Sequence, residues 1–302
     1  MKLAVFTKNL TNPAYAAARL GAELAAARLG STVTHHVPST PDDPDQQSVL
    51  IHQALAQRPD AFVLTPVHPT RVNDALAAIR AARVPIFAFV NRMQPGVAVS
   101  YVGASDAQLA QRMASYLVQH LVKHSIAHGR IAIVEGPVDS TTSQERVAAF
   151  DAALDAAARR YPGIHVVARC GGAYQREPAR VAFAELLRQH ESIDAVLAAN
   201  DIMAIGVLDA LKAASRQALV VGVNAIPQAI DAIRDGHMLA TADFNAMQMC
   251  YLATECAIRH LRGEVVPAEI ELPVAIVDRH NCALWDLPYE QRHLATLKET
   301  MA

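Results

Sequence analysis

Leu197-Ala-Ala-Asn-Asp-Ile-Met-Ala-Ile-Gly206 is an apolar run that stops at a polar pair and passes at once into helical spacing. The same design recurs in Thr7-Lys-Asn-Leu-Thr-Asn-Pro-Ala-Tyr15, which follows the apolar run Lys2–Phe6. It recurs again in Leu219-Val-Val-Gly-Val-Asn224, ahead of a helix opening near Pro227. Three strand ends that offer Asn to a helix start predict a crevice at the carboxyl edge of a parallel sheet. Open α/β folds bind small ligands there. None of the three ends carries an obvious nucleophile or base, so the pattern reads as binding rather than catalysis.

Working outward, strands alternate with helices along nearly the whole chain, which predicts parallel sheets built from βαβ units. The first series reads strand 2–6, helix 13–29, strand 32–37, helix 45–57, strand 61–65, helix 69–82 and strand 85–90. Asn12-Pro13 supplies a cap and a first-turn proline for its opening helix, in which Leu20, Leu24 and Ala27 share one face. A short strand, 97–102, leads into Gly103-Ala-Ser-Asp106 and a helix over 107–123. The pattern then restarts: strand 130–135, helix 143–160, strand 164–168, helix 177–189, strand 194–199, helix 202–214, strand 218–223, helix 227–235.

Two series of equal rhythm predict two doubly wound α/β lobes. Strand 238–243, helix 246–262 and a strand across Glu269–Val277 remain. If they return to the first lobe, the chain crosses near 103–106, 242–245 and 274–276, making a three-segment hinge. The expected division is residues 1–104 with 244–275, and 105–243 with 276–302. The tail from Asp278, with the sole tryptophan Trp285, is expected to be surface packing in the second lobe.

Composition narrows the function classes. The 302 residues are 52% hydrophobic, which excludes a disordered chain and suits two ordinary domains. A formal net charge of −2 gives no footprint for nucleic acid. No apolar run is long enough to span a bilayer, and Lys8 and Asn9 end the first apolar stretch too early for a signal peptide. Thirteen scattered histidines and four cysteines without a Cys-x-x-Cys pair predict neither a metal site nor a disulfide framework. No cofactor is expected. Phosphate-cradling, nucleophile-elbow and His-Glu-x-x-His signatures are missing, so no enzyme activity is expected.

Asn12-Pro13-Ala-Tyr15, Val90-Asn91-Arg92, Ser143-Gln-Glu-Arg146 with Phe150, Asn200-Asp201-Ile-Met-Ala-Ile-Gly206 and Val221-Gly-Val-Asn224 occur in that order. Together they resemble the type I periplasmic binding proteins that feed sugar importers, most closely the ribose-binding group, from about residue 2 to about 277. The resemblance implies a ligand cleft between the lobes. It implies Asn12, Tyr15, Asn91 and Arg92 in one wall, with Lys8 and Asn9 on the same loop. Arg146, Tyr174, Asn200 and Asn224 fall in the other, and Phe244 at the hinge points inward. It further implies a monomer, a permease partner, and a periplasmic location with the leader already removed.

Such residues suit a polyol on physical grounds. Aromatic rings cover C–H faces, and planar amides and guanidiniums pair with hydroxyls. The chain departs from the group at Asn91 and Asn224, where Asp is common, at Ala14, where a second aromatic is common, and at Phe244, where Gln is common. The expected ligand is therefore a monosaccharide other than the group's pentose, or a sugar alcohol. An acidic sugar is a further option if Arg92 and Arg146 lack counter-charges, with Asp243 a substitute for one carboxylate. Gln144 is expected to face away from Arg146. The competing reading is the effector-sensing domain of a lac-repressor-type regulator.

Overall fold

Apolar runs of four or five residues form about half of the strands, and capping side chains start most of the helices. The computed structural model describes residues 1–124 and 129–301. Contacts divide the chain into two units. The first is Met1–Ala104, Asn245–Pro273 and Pro288–Ala302; the second is Ser105–Phe244 and Val274–Leu287.

The first unit begins β1 (Lys2–Phe6), α1 (Pro13–Arg28), β2 (Thr32–His36), α2 (Pro44–Ala56), β3 (Ala61–Leu64), α3 (Asn73–Ala81), β4 (Ile86–Phe89), β5 (Ser100–Gly103). The second contains α4 (Asp106–Lys123), β6 (Gly129–Glu135), α5 (Thr141–Arg160), β7 (Ile164–Gly171), α6 (Arg176–Gln189), β8 (Ala195–Ala198), α7 (Asp201–Ala213), β9 (Leu219–Val223), α8 (Pro227–Arg234) and β10 (Ala240–Asp243). Then α9 (Ala246–Leu261) and β11 (Glu269–Glu271) belong to the first unit, β12 (Ala275–Asp278) to the second, and α10 (Leu297–Thr300) to the first.

Each unit holds a six-stranded sheet, ordered β11-β5-β4-β3-β1-β2 in the first and β12-β10-β9-β8-β6-β7 in the second. All neighbours are parallel except β12, which runs antiparallel to β10. Counted within its own half, each sheet has the same doubly wound order. The order reverses between β1 and β3, and again between β6 and β8. Crevices open at the carboxyl ends of such switch points.

The core of the first sheet includes Phe6, Phe62, Leu64, Ile51, Ile79 and Ile86, all essentially buried. Side chains of this size contribute about 1.5–3 kcal/mol each on burial. The first helix turns in the opposite sense to the leucine pattern. Leu24 and Ala27 are exposed, while Ala14, Ala17, Ala18, Gly21, Ala22 and Ala25 are buried. Close packing on α9 selects this small-residue face: a Cβ at Gly21 would fall within 3 Å of the Met247 carbonyl. Gly206 meets the Arg176 carbonyl in the same way where α7 packs on α6.

Three further expectations change. The helix expected from residue 69 starts at Asn73, because the His68 ring takes the Thr70 and Arg71 N–H groups into a turn. The strand expected across Glu269–Val277 is two strands in different sheets. Pro273, which has no N–H to give a ladder, separates them; Leu272 N–H still bonds to Gly103 and Arg112 holds the Val274 carbonyl. The tail does not stay in the second unit. Residues 288–302 belong to the first, so the chain passes between units a fourth time at Leu287–Pro288.

Candidate functional site

At the carboxyl edge of the first sheet, Thr7, Lys8, Asn9, Asn12, Thr65 and Asn91 are polar and buried. Asn12 caps α1: its Oδ1 accepts the Ala14 N–H at 3.0 Å. The cap uses the oxygen and leaves the amide N–H2 as a donor. Asn9 is absorbed locally, accepting from Thr11 Oγ1 and the Asn12 N–H and donating to Asp42. Lys8 has a side chain only 4% exposed and an ion-pair partner, Asp42, at 3.5 Å. Tyr15 is buried in the first turn of α1.

Asn91 stands on a strained strand end. Val90 has φ +62°, rare for a β-branched residue. The kink is held by Val90 N–H to Val102 and by the Tyr101 hydroxyl to the Val90 carbonyl at 2.8 Å. Asn91 Oδ1 accepts the Thr65 hydroxyl from the neighbouring strand end. Arg92, by contrast, is 58% exposed. It pairs with Glu269 and lies over the Tyr101 ring.

In the second unit Arg146 is buried, its side chain 4% exposed. Ser140 caps α5 and so sets the helix face that turns Arg146 inward. The Nε–H donates to Asp106 at 2.7 Å and an Nη–H to the Ala199 carbonyl at 2.7 Å. The Phe244 ring centre lies 5.7 Å from the guanidinium carbon. Thus both arginines have carboxylate partners, Glu269 and Asp106, and the premise for an acidic sugar fails. Neither partner is near its arginine in sequence. Gln144 is exposed and bonds to the Val138 carbonyl.

Tyr174 follows β7 with φ +56°. Burial pushes its hydroxyl up to about 12. The hydroxyl lies near those of Ser140 and Ser143, yet makes no hydrogen bond among the described residues. Asn224, at φ +125°, has a buried Oδ1 that is likewise unpartnered there. Asn200 caps α7 by accepting the Met203 N–H at 2.9 Å, again leaving its N–H2. The structure therefore brings Arg146, Tyr174 and Phe244 together and sets Asn200 and Asn224 at the adjacent ends of β8 and β9. Positive φ at Val90, Tyr174 and Asn224 is the kind of stored strain that gathers at working sites.

Asp201 follows Asn200 as the first residue of α7. It is fully buried, with Oδ1 accepting the Thr241 hydroxyl at 2.7 Å and Oδ2 the Ile226 N–H at 3.1 Å. Burial raises it to about 7 against those bonds, and the charge of Asp243 adds to the rise. Its place is beneath the 224–226 turn, which it ties to α7. The Asp243 Oδ2 accepts the Trp285 indole N–H at 2.7 Å.

Among the described residues no group of three His, Cys, Asp or Glu side chains could hold a metal. None of their helices is long and apolar enough to cross a membrane.

A family described as "Periplasmic binding protein domain" matches residues 3–264. A D-ribose/D-allose-binding protein of Pseudomonas aeruginosa is 28% identical over 247 residues, covering 78% of this chain and 75% of that protein. A xylitol-binding protein of Mycolicibacterium smegmatis is 26% identical over 80% of this chain and 68% of its own length. A solved periplasmic solute-binding protein of an ABC transporter from Actinobacillus succinogenes, with bound D-allose, superposes with a TM-score of 0.85 at 25% identity, covering 93% of this chain and 99% of that one.

Proposed function

The chain belongs to the periplasmic binding protein domain family, and on that premise we propose that it captures a neutral monosaccharide or sugar alcohol by closure of its two units and delivers it to the permease of an ATP-binding-cassette importer in the periplasm. The observation that carries this reading is the second unit's wall. A fixed guanidinium, already neutralised by Asp106, lies beside the Phe244 ring and the unpartnered Tyr174 hydroxyl, with the buried Asn224 Oδ1 at the neighbouring strand end. Leaving such groups unsatisfied costs roughly 1–3 kcal/mol each. A ligand rich in hydroxyls supplies the donors they lack, and its C–H face suits the ring.

In the first unit Asn12 and Asn91 offer amides, and Tyr15 a ring. Lys8 enters as an ion pair with Asp42 rather than as a bare cation. Asn200 completes the set from the second unit. Arg92 is assigned to its pair with Glu269 and not to the ligand. The relatives' sugar and polyol ligands support this chemistry, and their importer names favour a receptor over a regulator.

Neutral hydrogen bonds contribute about 0.5–1.5 kcal/mol each, so several must converge for micromolar affinity, about −8 kcal/mol. Calorimetry against D-ribose, D-allose, xylitol, myo-inositol and D-glucuronate tests the reading. Micromolar binding of a neutral member, with D-glucuronate weaker, is expected. Silence across the neutral members, or a preference for D-glucuronate, overturns it.

A further inference from the structure

The tail after β12 takes hold of the chain on both sides of Phe244. On one side, the Trp285 indole N–H donates to Asp243, the residue immediately before it. On the other, Gln248 exchanges two hydrogen bonds with the Ala295 backbone: its Nε2–H2 donates to the carbonyl at 2.6 Å and its Oε1 accepts the N–H at 2.8 Å. Asn245, between them, has φ +58° and caps α9 by accepting the Gln248 N–H. Phe244 thus sits in the six-residue segment 243–248, whose two ends are gripped by one short stretch of tail.

Both grips are independently anchored. Arg234 pairs with Asp286, the neighbour of Trp285, and Leu297 N–H donates to the fully buried Glu255 of α9 at 3.0 Å. Glu255 also holds Arg259. A tail serving only as surface cover would not need two side-chain locks directed at residues on either side of one ring.

We propose that Trp285 and the Gln248–Ala295 pair are positioning residues for ligand capture. They fix the chain at Phe244, and through it the ring that lies against the Arg146 guanidinium. Consecutive residues of an extended chain point to opposite sides. Locking Asp243 onto Trp285 therefore locks Phe244 the other way. Loss of either lock lets the ring sample other rotamers, and part of the ligand's binding energy is then spent on ordering it. This inference rests on the proposed ligand-binding role.

The test uses the full chain with Trp285→Phe, which removes the N–H donor and part of the ring area but leaves an aromatic ring, and with Gln248→Ala. Amide exchange over residues 243–248 is followed without ligand, affinity is measured for whichever panel member the parent binds, and unfolding midpoints are recorded alongside. Faster exchange confined to 243–248 is expected, with affinity weakened about three- to tenfold through a faster off-rate. Unchanged exchange and affinity overturn the proposal. So does a lowered midpoint with affinity intact, which marks the tail as packing. If the parent binds no panel member while exchange at 243–248 still quickens, the sugar-binding reading fails and the lock on Phe244 stands.

Discussion

Replacing Asp201 with Asn removes a buried titration and leaves the shape almost unchanged. The carboxyl is raised from 3.8 to about 7. A folded-state value above the unfolded one means that the contribution to stability is complete below pH 3.8 and is lost as pH climbs through about 7. Three units at about 1.4 kcal/mol each amount to roughly 4 kcal/mol lost by pH 8. Asn keeps an oxygen for the Ile226 N–H and offers its N–H2 to Thr241 Oγ1, so the bonds that tie the 224–226 turn have counterparts.

Below pH 3.8 the acid is protonated in both states and the two proteins should differ least, whereas by pH 5 roughly 1.6 kcal/mol is already lost, because the unfolded carboxyl has ionised. At pH 8 the Asn variant should be more stable by about 1–4 kcal/mol, a rise of several degrees in the midpoint of a domain this size. Thermal unfolding followed by circular dichroism at pH 5, 6, 7 and 8 measures the gap. Parallel curves for the two proteins, with no divergence between pH 5 and 8, refute the assignment of a protonatable buried carboxyl.

Tyr174→Phe deletes a buried hydroxyl that has no hydrogen-bond partner among the described residues; the ligand-free protein should be as stable or more so, while affinity for the cognate sugar falls about two- to tenfold by titration. Gly206→Ala forces a Cβ against the Arg176 carbonyl, so denaturant unfolding should show a loss of about 1–3 kcal/mol. Arg92→Ala breaks an exposed ion pair and should cost at most about 1 kcal/mol; a tenfold loss of affinity would return Arg92 to the ligand wall. Arg146→Met strands Asp106 and the Ala199 carbonyl, and calorimetry should show affinity falling by a hundredfold or more, with Arg146→Lys recovering only part because it lacks the planar fork.

Local signals carried most of the fold. Asn12-Pro13, Ser140 and Asn200 start their helices as cap chemistry dictates, and the strand–helix rhythm gave both sheets their parallel character. The strand-end amides were legible for the same reason: each caps its helix through the side-chain oxygen and leaves the N–H2 clear of the cap. Charge pairing was not legible. Asp106 lies 40 residues from Arg146, and Glu269 lies 177 from Arg92; nothing local links either pair. The face of α1 was misread because leucines outweigh alanines in an apolar pattern, whereas a close helix contact selects for smallness. The tail was opaque, since its locks join single residues across non-periodic chain.

The contact between Gly21 and the Met247 carbonyl has a temporal meaning. Helix α1 leaves the ribosome early, but its partner α9 and the edge strand β11 follow roughly 230 residues later. At about 5–20 residues per second, the first half waits on the order of ten to fifty seconds with its alanine face bare. Until then the first sheet lacks its β11 edge and α1 lacks the surface its small residues fit, so that helix contact can form only when most of the chain exists.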